Sequence, residues 1–147
     1  MASELVEYKL TEDYENGFST YEFSIGKNSF IFNVTSFENL SEYKRFSKLV
    51  DDISEEYIDT FFEGISEDLD IAGYDWEIVE QNEPVDVFKL MRVIEWIGKE
   101  YIIRMWPGVI IYEAENEKLH RIYKRMFPSV GYKFVNNLGS NYLYVRK

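Results

Sequence analysis

A helical pattern between two short strand-like runs constrains the fold of this chain more than any other feature. Residues 76–80 and 109–112 are short, largely apolar runs, and the apolar residues between them recur at helical spacing as far as residue 103. Asn82 is the predicted N-cap of this helix, with Pro84 near its first helical position. Two strands joined by a helical crossover lie parallel in one sheet. The sequence therefore predicts a parallel β-α-β pair formed by these two strands.

A second helix and a hairpin follow this pair. Residues 119–127 match the helical template closely, with Asn116 as the predicted N-cap and Pro128 as the end of the helix. Two further runs, 132–135 and 142–145, flank a turn-forming segment and predict a closing hairpin. The C-terminal half thus has the predicted order β-α-β-α-β-β.

The first half of the chain predicts strands followed by helices. Residues 18–25 and 30–35 alternate apolar and polar side chains around a turn at 26–29, which predicts a hairpin, and residues 4–10 form a candidate first strand. Residues 39–69 are expected to be helical in two pieces, and Gly73 is expected to end this region. The first is capped by Asn39 or Ser41 and continues through Val50, and the second opens at Ser54 and carries apolar side chains at helical spacing. We therefore expect one α/β (α+β) domain over residues 1–147. It contains a mixed, mostly antiparallel sheet with a parallel pair and helices on its faces. Its parts are N-terminal strands (1–38), an acidic helical region (39–70) and the β-α-β-α-β-β half (73–147).

The composition excludes several classes of protein. The 147 residues suit one domain, and an aromatic content of 18% argues against disorder. The chain has no Cys and one His, which excludes disulfides, thiolate metal sites and His-based metal clusters. The acidic N-terminus does not have the pattern of a signal peptide, and no run reaches the ~18 apolar residues of a membrane span. A cytoplasmic location without membrane contact is the expectation.

The charge is unevenly distributed along the chain. The net charge is −11, yet residues 1–80 contain 20 acidic and 5 basic side chains, whereas residues 81–147 contain 7 and 11. This layout argues against direct nucleic-acid binding and is compatible with a basic protein partner. Nine acids lie between residues 51 and 70, and the candidate partner-binding residues among them are Asp52, Glu55, Glu56, Asp59 and Glu63. Either this cluster binds a basic partner, or it is a solubilising face.

The C-terminal half resembles the GNAT N-acetyltransferase superfamily. Asn116 is followed seven residues later by Tyr123, and then by Gly131-Tyr132, in the family's order of Asn, Tyr and a Gly-aromatic pair. The chain also resembles small uncharacterised GNAT-like proteins of phages and bacteria. The resemblance implies an acetyl-CoA site in which Tyr123 is the general acid, Asn116 positions the cofactor, and the backbone from Gln81 and Asn82 binds the pyrophosphate. From the residues themselves, Tyr123 also fits a core position and Asn116 an N-cap.

Three departures from the family pattern point away from catalysis. The segment 81–86 has no glycine; Pro84 has no N–H to offer a phosphate, and Glu83 and Asp86 would repel one. Tyr123 and Gly131 are eight residues apart, about one helical turn more than in the family. The family's two helices after the first strand are replaced here by a hairpin.

Two further features of the last helix leave alternatives open. His120 lies off the apolar stripe, so a surface position is expected rather than a catalytic base. Lys118, Arg121, Lys124 and Arg125 either hold phosphates of a CoA-like ligand or form a solvated face.

The expected function is that of a non-catalytic GNAT-like protein without a cofactor, which binds a basic macromolecular partner. An anti-defence inhibitor of a phage or mobile element, or an immunity protein, would fit the small acidic form. The alternative is an acyl-CoA-dependent N-acyltransferase with a divergent pyrophosphate loop. The aromatic content is compatible with a homodimer but does not require one.

Overall fold

Seven strands form one sheet in the computed structural model, which describes residues 6–51, 53–114 and 116–147. The strands are β1 (Tyr8–Asp13), β2 (Phe18–Ile25), β3 (Asn28–Phe37), β4 (Ile71–Glu80), β5 (Val109–Glu113), β6 (Tyr132–Leu138) and β7 (Asn141–Arg146). The helices within the described residues are α1 (Leu40–Asp51), α2 (Glu55–Phe61), α3 (Val87–Met105) and α4 (Glu117–Ser129). The strand order across the sheet is β1-β2-β3-β4-β5-β7-β6. The predicted fold class, a mostly antiparallel α+β sheet with helices, is confirmed.

The parallel pair is present, but its register differs from the prediction. β5 pairs with β4 from Ile71 opposite Val109 to Tyr74 opposite Tyr112, and not with residues 76–80. Beyond Tyr74, β4 continues to Glu80 with β3 as its neighbour, whereas β5 ends at Glu113 beside β7. The prediction was wrong about the register because β4 begins five residues earlier than its most apolar run suggested. The two parallel strands therefore have no mutual pairing beyond the Tyr74 level.

The helical region of the first half is shorter than predicted. The predicted division into two helices, α1 and α2, is confirmed, but α2 ends at Phe61 and the chain is irregular from Phe62 to Asp70. The Ser54 hydroxyl caps α2, and Gly64 has a φ of +82°, a backbone conformation that does not continue a helix. Gly73, expected to end the helix, lies inside β4 because burial between β3 and β5 outweighs its low strand propensity.

The N-terminal strands match their prediction with small shifts. β1 covers Tyr8–Asp13 instead of residues 4–10, and residues 1–5 lie outside the described part of the chain. The turn between β2 and β3 has only two residues, Gly26 and Lys27, so Asn28 and Ser29 belong to β3. Gly26 supplies the positive φ of +60° that a two-residue hairpin turn requires at its first position.

Each face of the sheet is covered by a different pair of helices. α3 and α4 pack on the face that carries Tyr74 and Tyr112, over the larger of the two cores. α1 and α2 pack on the opposite face, over Phe37, Ile71 and Ile111. Side chains along β4 and β5 enter the two cores alternately, because successive residues of a strand point to opposite faces of the sheet.

The outermost strands of the first half are attached to α3 through a polar network. Arg104 donates to Glu12 of β1 over 2.7 Å and to the Tyr21 hydroxyl of β2 over 2.9 Å, and Tyr21 donates to Glu100 over 2.7 Å. Burial, followed by the hydrogen bond to Glu100, raises the pKa of Tyr21. The network spans residues that are far apart in the sequence and holds β1 and β2 against the C-terminal half of α3.

Candidate functional site

The connection from β4 to α3 holds its own backbone amides in internal hydrogen bonds. The side-chain oxygen of Asn28 accepts from the amide of Asn82 over 2.8 Å and from the amide of Glu83 over 3.1 Å. The Asn28 amide group donates in turn to the Glu83 carbonyl over 3.1 Å. Asn28 is 2% exposed, so these bonds lie mostly away from water. Two of the donors that a phosphate would need are therefore already used.

The β2–β3 turn closes over the same connection. The Glu83 carboxylate accepts from the amide of Lys27 over 2.8 Å, and the Asn82 side chain donates to the Lys27 carbonyl over 2.9 Å. Gly26 lies so close to Glu83 that a Cβ at this position would come within 2.0 Å of the carboxylate. The predicted cofactor-binding residue Asn82 thus serves to join two loops.

The N-terminus of α3 is capped by a carboxylate. α3 begins at Val87, and Asp86 accepts from the amide of Lys89 over 3.1 Å. The predicted cap, Asn82, was wrong because its side chain bonds to the β2–β3 turn and the helix does not begin until Val87. A negative side chain therefore already occupies the positive end of the helix dipole.

The other predicted cofactor-binding residue, Gln81, is exposed and points back to its own loop. Its side-chain amide donates to the Glu83 carbonyl over 3.3 Å. Gln81 and Asn82 are neighbours in the connection, as expected, and both make contacts within the protein.

The two predicted catalytic residues occupy structural positions at α4. The side chain of Asn116 accepts from the amide of Leu119 over 2.9 Å, so Asn116 is the N-cap of α4. Tyr123 is 1% exposed, and its ring packs 4.2 Å from that of Tyr112 and 5.4 Å from that of Phe127. Burial, and to a lesser degree the carboxylate of Asp75, raises the pKa of Tyr123. A tyrosine with a raised pKa keeps its proton at neutral pH.

His120 belongs to an aromatic cluster. Its ring stacks on Tyr142 at 4.0 Å, and its Nδ1 lies 3.3 Å from the Tyr112 hydroxyl. Half-buried, His120 is less exposed than its place in the sequence suggested. Tyr142 and Tyr144, with Phe134, line a cavity of about 430 Å³ beside His120. The feature of the sequence that could have indicated this aromatic cluster was the alternation of tyrosines along β7, which faces α4.

The predicted acidic partner site is partly neutralised by α1. Glu55 and Asp59 form ion pairs of 2.8 Å with Lys48 and Lys44, respectively. Glu56 and Glu63 are exposed and have no ion pair among the described residues. The fifth candidate, Asp52, lies outside the described residues. The two lysines precede the acidic cluster in the sequence, and only the antiparallel packing of α1 and α2 brings them beside it.

The uncovered part of the sheet extends the acidic surface. Glu22 and Glu77 lie on either side of Ile31 in one cross-strand row, and they point to the same face as α1 and α2. Asp75 shares this face, and all three carboxylates are exposed. We call the exposed carboxylates of Glu22, Glu56, Glu63, Asp75 and Glu77 the acidic face.

The opposite side of the molecule carries most of the basic residues of the second half. The exposed outer surfaces of α3 and α4 present Lys89, Arg92, Lys118, Arg121, Lys124 and Arg125. The imbalance of charge along the sequence thus becomes an imbalance between the two sides of the sheet.

Neither a protein-family model nor a curated protein matches this chain. Within the described residues, no group of three or more His, Asp or Glu is arranged to hold a metal ion. Of the helices described here, none has the length and apolarity needed to span a membrane.

Proposed function

We propose that this protein is a non-catalytic, GNAT-like binding protein whose acidic face binds a basic macromolecular partner. The observation that carries this proposal is the internal bonding of the β4–α3 connection. The resemblance seen in the sequence assigns that connection to a pyrophosphate, but Asn28 takes the amides of Asn82 and Glu83, and Asp86 caps the helix.

The energetics of the connection oppose an anionic cofactor. A pyrophosphate would have to displace Asn28 from two amides and bind beside the carboxylates of Glu83 and Asp86. Phosphate sites at helix N-termini depend on free amides and on the positive end of the dipole, and here both are already engaged. Pro84 contributes no amide donor.

The acidic face has the features of a surface for a cationic partner. Glu56 and Glu63 are free of ion pairs within the described residues, and Tyr57 beside them is 60% exposed. An exposed aromatic next to carboxylates provides an apolar anchor within a charged surround. Like charges on one surface accelerate association with a partner of opposite charge, and salt weakens the effect. An inhibitor of a basic nuclease or defence component of a phage host, or an immunity protein, would use such a surface.

The salt dependence of capture tests this proposal. The tagged protein is used to capture partners from its native host at low and at high salt, and each captured protein is then purified and titrated by calorimetry. We expect a basic partner at low salt and loss of binding by the Glu56→Lys/Glu63→Lys variant. The Glu7→Lys/Glu15→Lys variant, with the same change of charge at other exposed sites, should bind normally. No basic partner at low salt, or equal binding by both variants, contradicts the proposal.

A second candidate function is acyl-CoA-dependent N-acyl transfer, and one observation favours it. The two parallel strands, β4 and β5, cease to pair beyond Tyr74 and Tyr112. In this alternative, the gap between the strands accepts the acyl group and Tyr123 is the general acid. A thermal-shift titration with acetyl-CoA tests it, since a ligand at 100 times its Kd stabilises the fold by about 2.7 kcal/mol. The absence of any shift at millimolar acetyl-CoA would exclude this candidate.

A further inference from the structure

A groove between α3 and α4 combines an apolar floor with a basic rim. It has a volume of about 380 Å³ and lies on the side of the sheet opposite the acidic face. The apolar residues of its lining are Val87, Phe88, Met91 and Ile122, and the basic residues are Arg92, Lys118, Arg121 and Arg125.

The charge of the groove is not balanced within the protein. Its one lining carboxylate, Glu95, is shared between Lys99 at 3.4 Å and Arg125 at 3.3 Å. Across residues 6–51, 53–114 and 116–147, no ion pair joins Arg92, Lys118 or Arg121 to a carboxylate. The residues that line the groove therefore carry more positive than negative charge.

Phe88 supplies an exposed aromatic anchor within this basic surround. It lies in the first turn of α3, and 84% of its surface is open to water. Aromatic and arginine side chains are the residues that most often dominate the affinity of protein interfaces. Met91, which is 8% exposed, and the half-buried Ile122 complete the apolar lining beside Phe88.

From this combination we propose that the α3–α4 groove binds an acidic amphipathic helix of another protein. The apolar stripe of that helix would cover Phe88, Met91 and Ile122, and its flanking carboxylates would pair with Arg92, Lys118 and Arg121. A helix in a groove presents its anchors at i, i+3, i+4 and i+7. Nucleic acid fits this groove less well, because bases bind protein by stacking on aromatic rings, and Met91 and Ile122 beside Phe88 are aliphatic. The proposal is independent of the acidic face, because the two surfaces lie on opposite sides of the sheet.

Fluorescence anisotropy with a designed probe tests the proposal. The probe is a fluorescein-labelled, Glu-rich peptide with leucines at i, i+3, i+4 and i+7. A peptide of equal composition, with its leucines moved off the helical stripe, and a labelled single-stranded oligonucleotide serve as comparison ligands. We expect the striped peptide to bind at least about tenfold more tightly than the other two.

Variants of the full-length protein locate the binding. Phe88→Ala, and separately Arg92→Glu/Arg121→Glu, should each weaken peptide binding by about tenfold or more. Leu49→Ala removes another exposed apolar side chain, and Lys133→Glu reverses another exposed charge; both controls should leave affinity unchanged. No binding of the striped peptide, equal binding of the rearranged peptide, tighter binding of the oligonucleotide or an unaffected Phe88→Ala variant would overturn the proposal. Self-association of the protein that Phe88→Ala abolishes would also overturn it, because a second copy would then be the occupant.

Discussion

At the scale of single residues, Asn28 organises the candidate site. One side-chain oxygen accepts from two consecutive amides, and the amide group donates to a carbonyl of the same connection. Asn28→Ala should destabilise the fold by about 1–3 kcal/mol, because polar backbone groups lose their partners. Urea unfolding followed by circular dichroism measures this effect. Asn137→Ala, at an exposed position of β6, is the control and should change stability by less than about 0.5 kcal/mol. Equal effects of the two substitutions would show that the bonds to Asn28 contribute little.

Removal of the hydroxyl from two buried tyrosines of the same core should change the stability of the protein to different extents. The Tyr74 hydroxyl donates to the Gly98 carbonyl over 2.7 Å, whereas the Tyr123 hydroxyl has no hydrogen bond within the described residues. Tyr74→Phe should therefore cost about 1 kcal/mol, and Tyr123→Phe should be close to neutral. Chemical denaturation of both variants measures the difference. A cost for Tyr123→Phe as large as that for Tyr74→Phe would indicate that the Tyr123 hydroxyl has a bonding partner in solution.

At the scale of elements, the start of α3 decides how the site is built. Asp86→Ala should destabilise the protein by about 1 kcal/mol, since the Lys89 amide loses its acceptor. Asp86→Asn keeps an acceptor at the N-cap and should retain most of the stability. Thermal unfolding of the pair measures the contribution of the cap. If Asp86→Ala is as stable as the natural sequence, the helix starts elsewhere in solution.

The elements also show where prediction from the sequence was sound and where it failed. β2 and the start of α4 were predicted closely because their periodicity is unbroken and Asn116 is a strong N-cap signal. The predicted end of α4 at Pro128 was wrong, because Pro128 lies inside the helix, which continues to Ser129. The start of β4 was missed, because a strand buried on both sides next to a parallel neighbour can tolerate Gly73. The role of Asp86 was missed because Asn82 has an equally good capping side chain, and only the position of the β2–β3 turn decides between them.

At the scale of the whole molecule, the aromatic core makes stability sensitive to alkaline pH. Burial raises the pKa of Tyr101 to about 12, and it also raises the pKa values of Tyr74, Tyr112 and Tyr132. In the unfolded chain these groups have a pKa of ~10, so above that pH the unfolded state loses protons that the folded state retains. Stability from these tyrosines is complete below pH ~10 and is lost as the pH rises through the folded values. Tyrosinate absorbance and circular dichroism should therefore change together above pH ~10. Tyrosinate formation without unfolding would contradict this expectation.

The sequence by itself determined the fold class, the presence of a parallel β-α-β pair, the N-cap of α4, and the uneven distribution of charge. These are local properties: periodicity, turn chemistry and composition act over a few residues and need no distant partner. The tertiary structure alone decided that Asn28 would occupy the β4–α3 connection and that Lys44 and Lys48 would pair with Asp59 and Glu55. It also decided that most basic residues of the second half would lie on the side of the sheet opposite the acidic face. Each of these depends on which segments become neighbours in space. The burial of the two faces of the sheet sets those neighbours, and it joins segments that are too far apart in the sequence for a local pattern to predict.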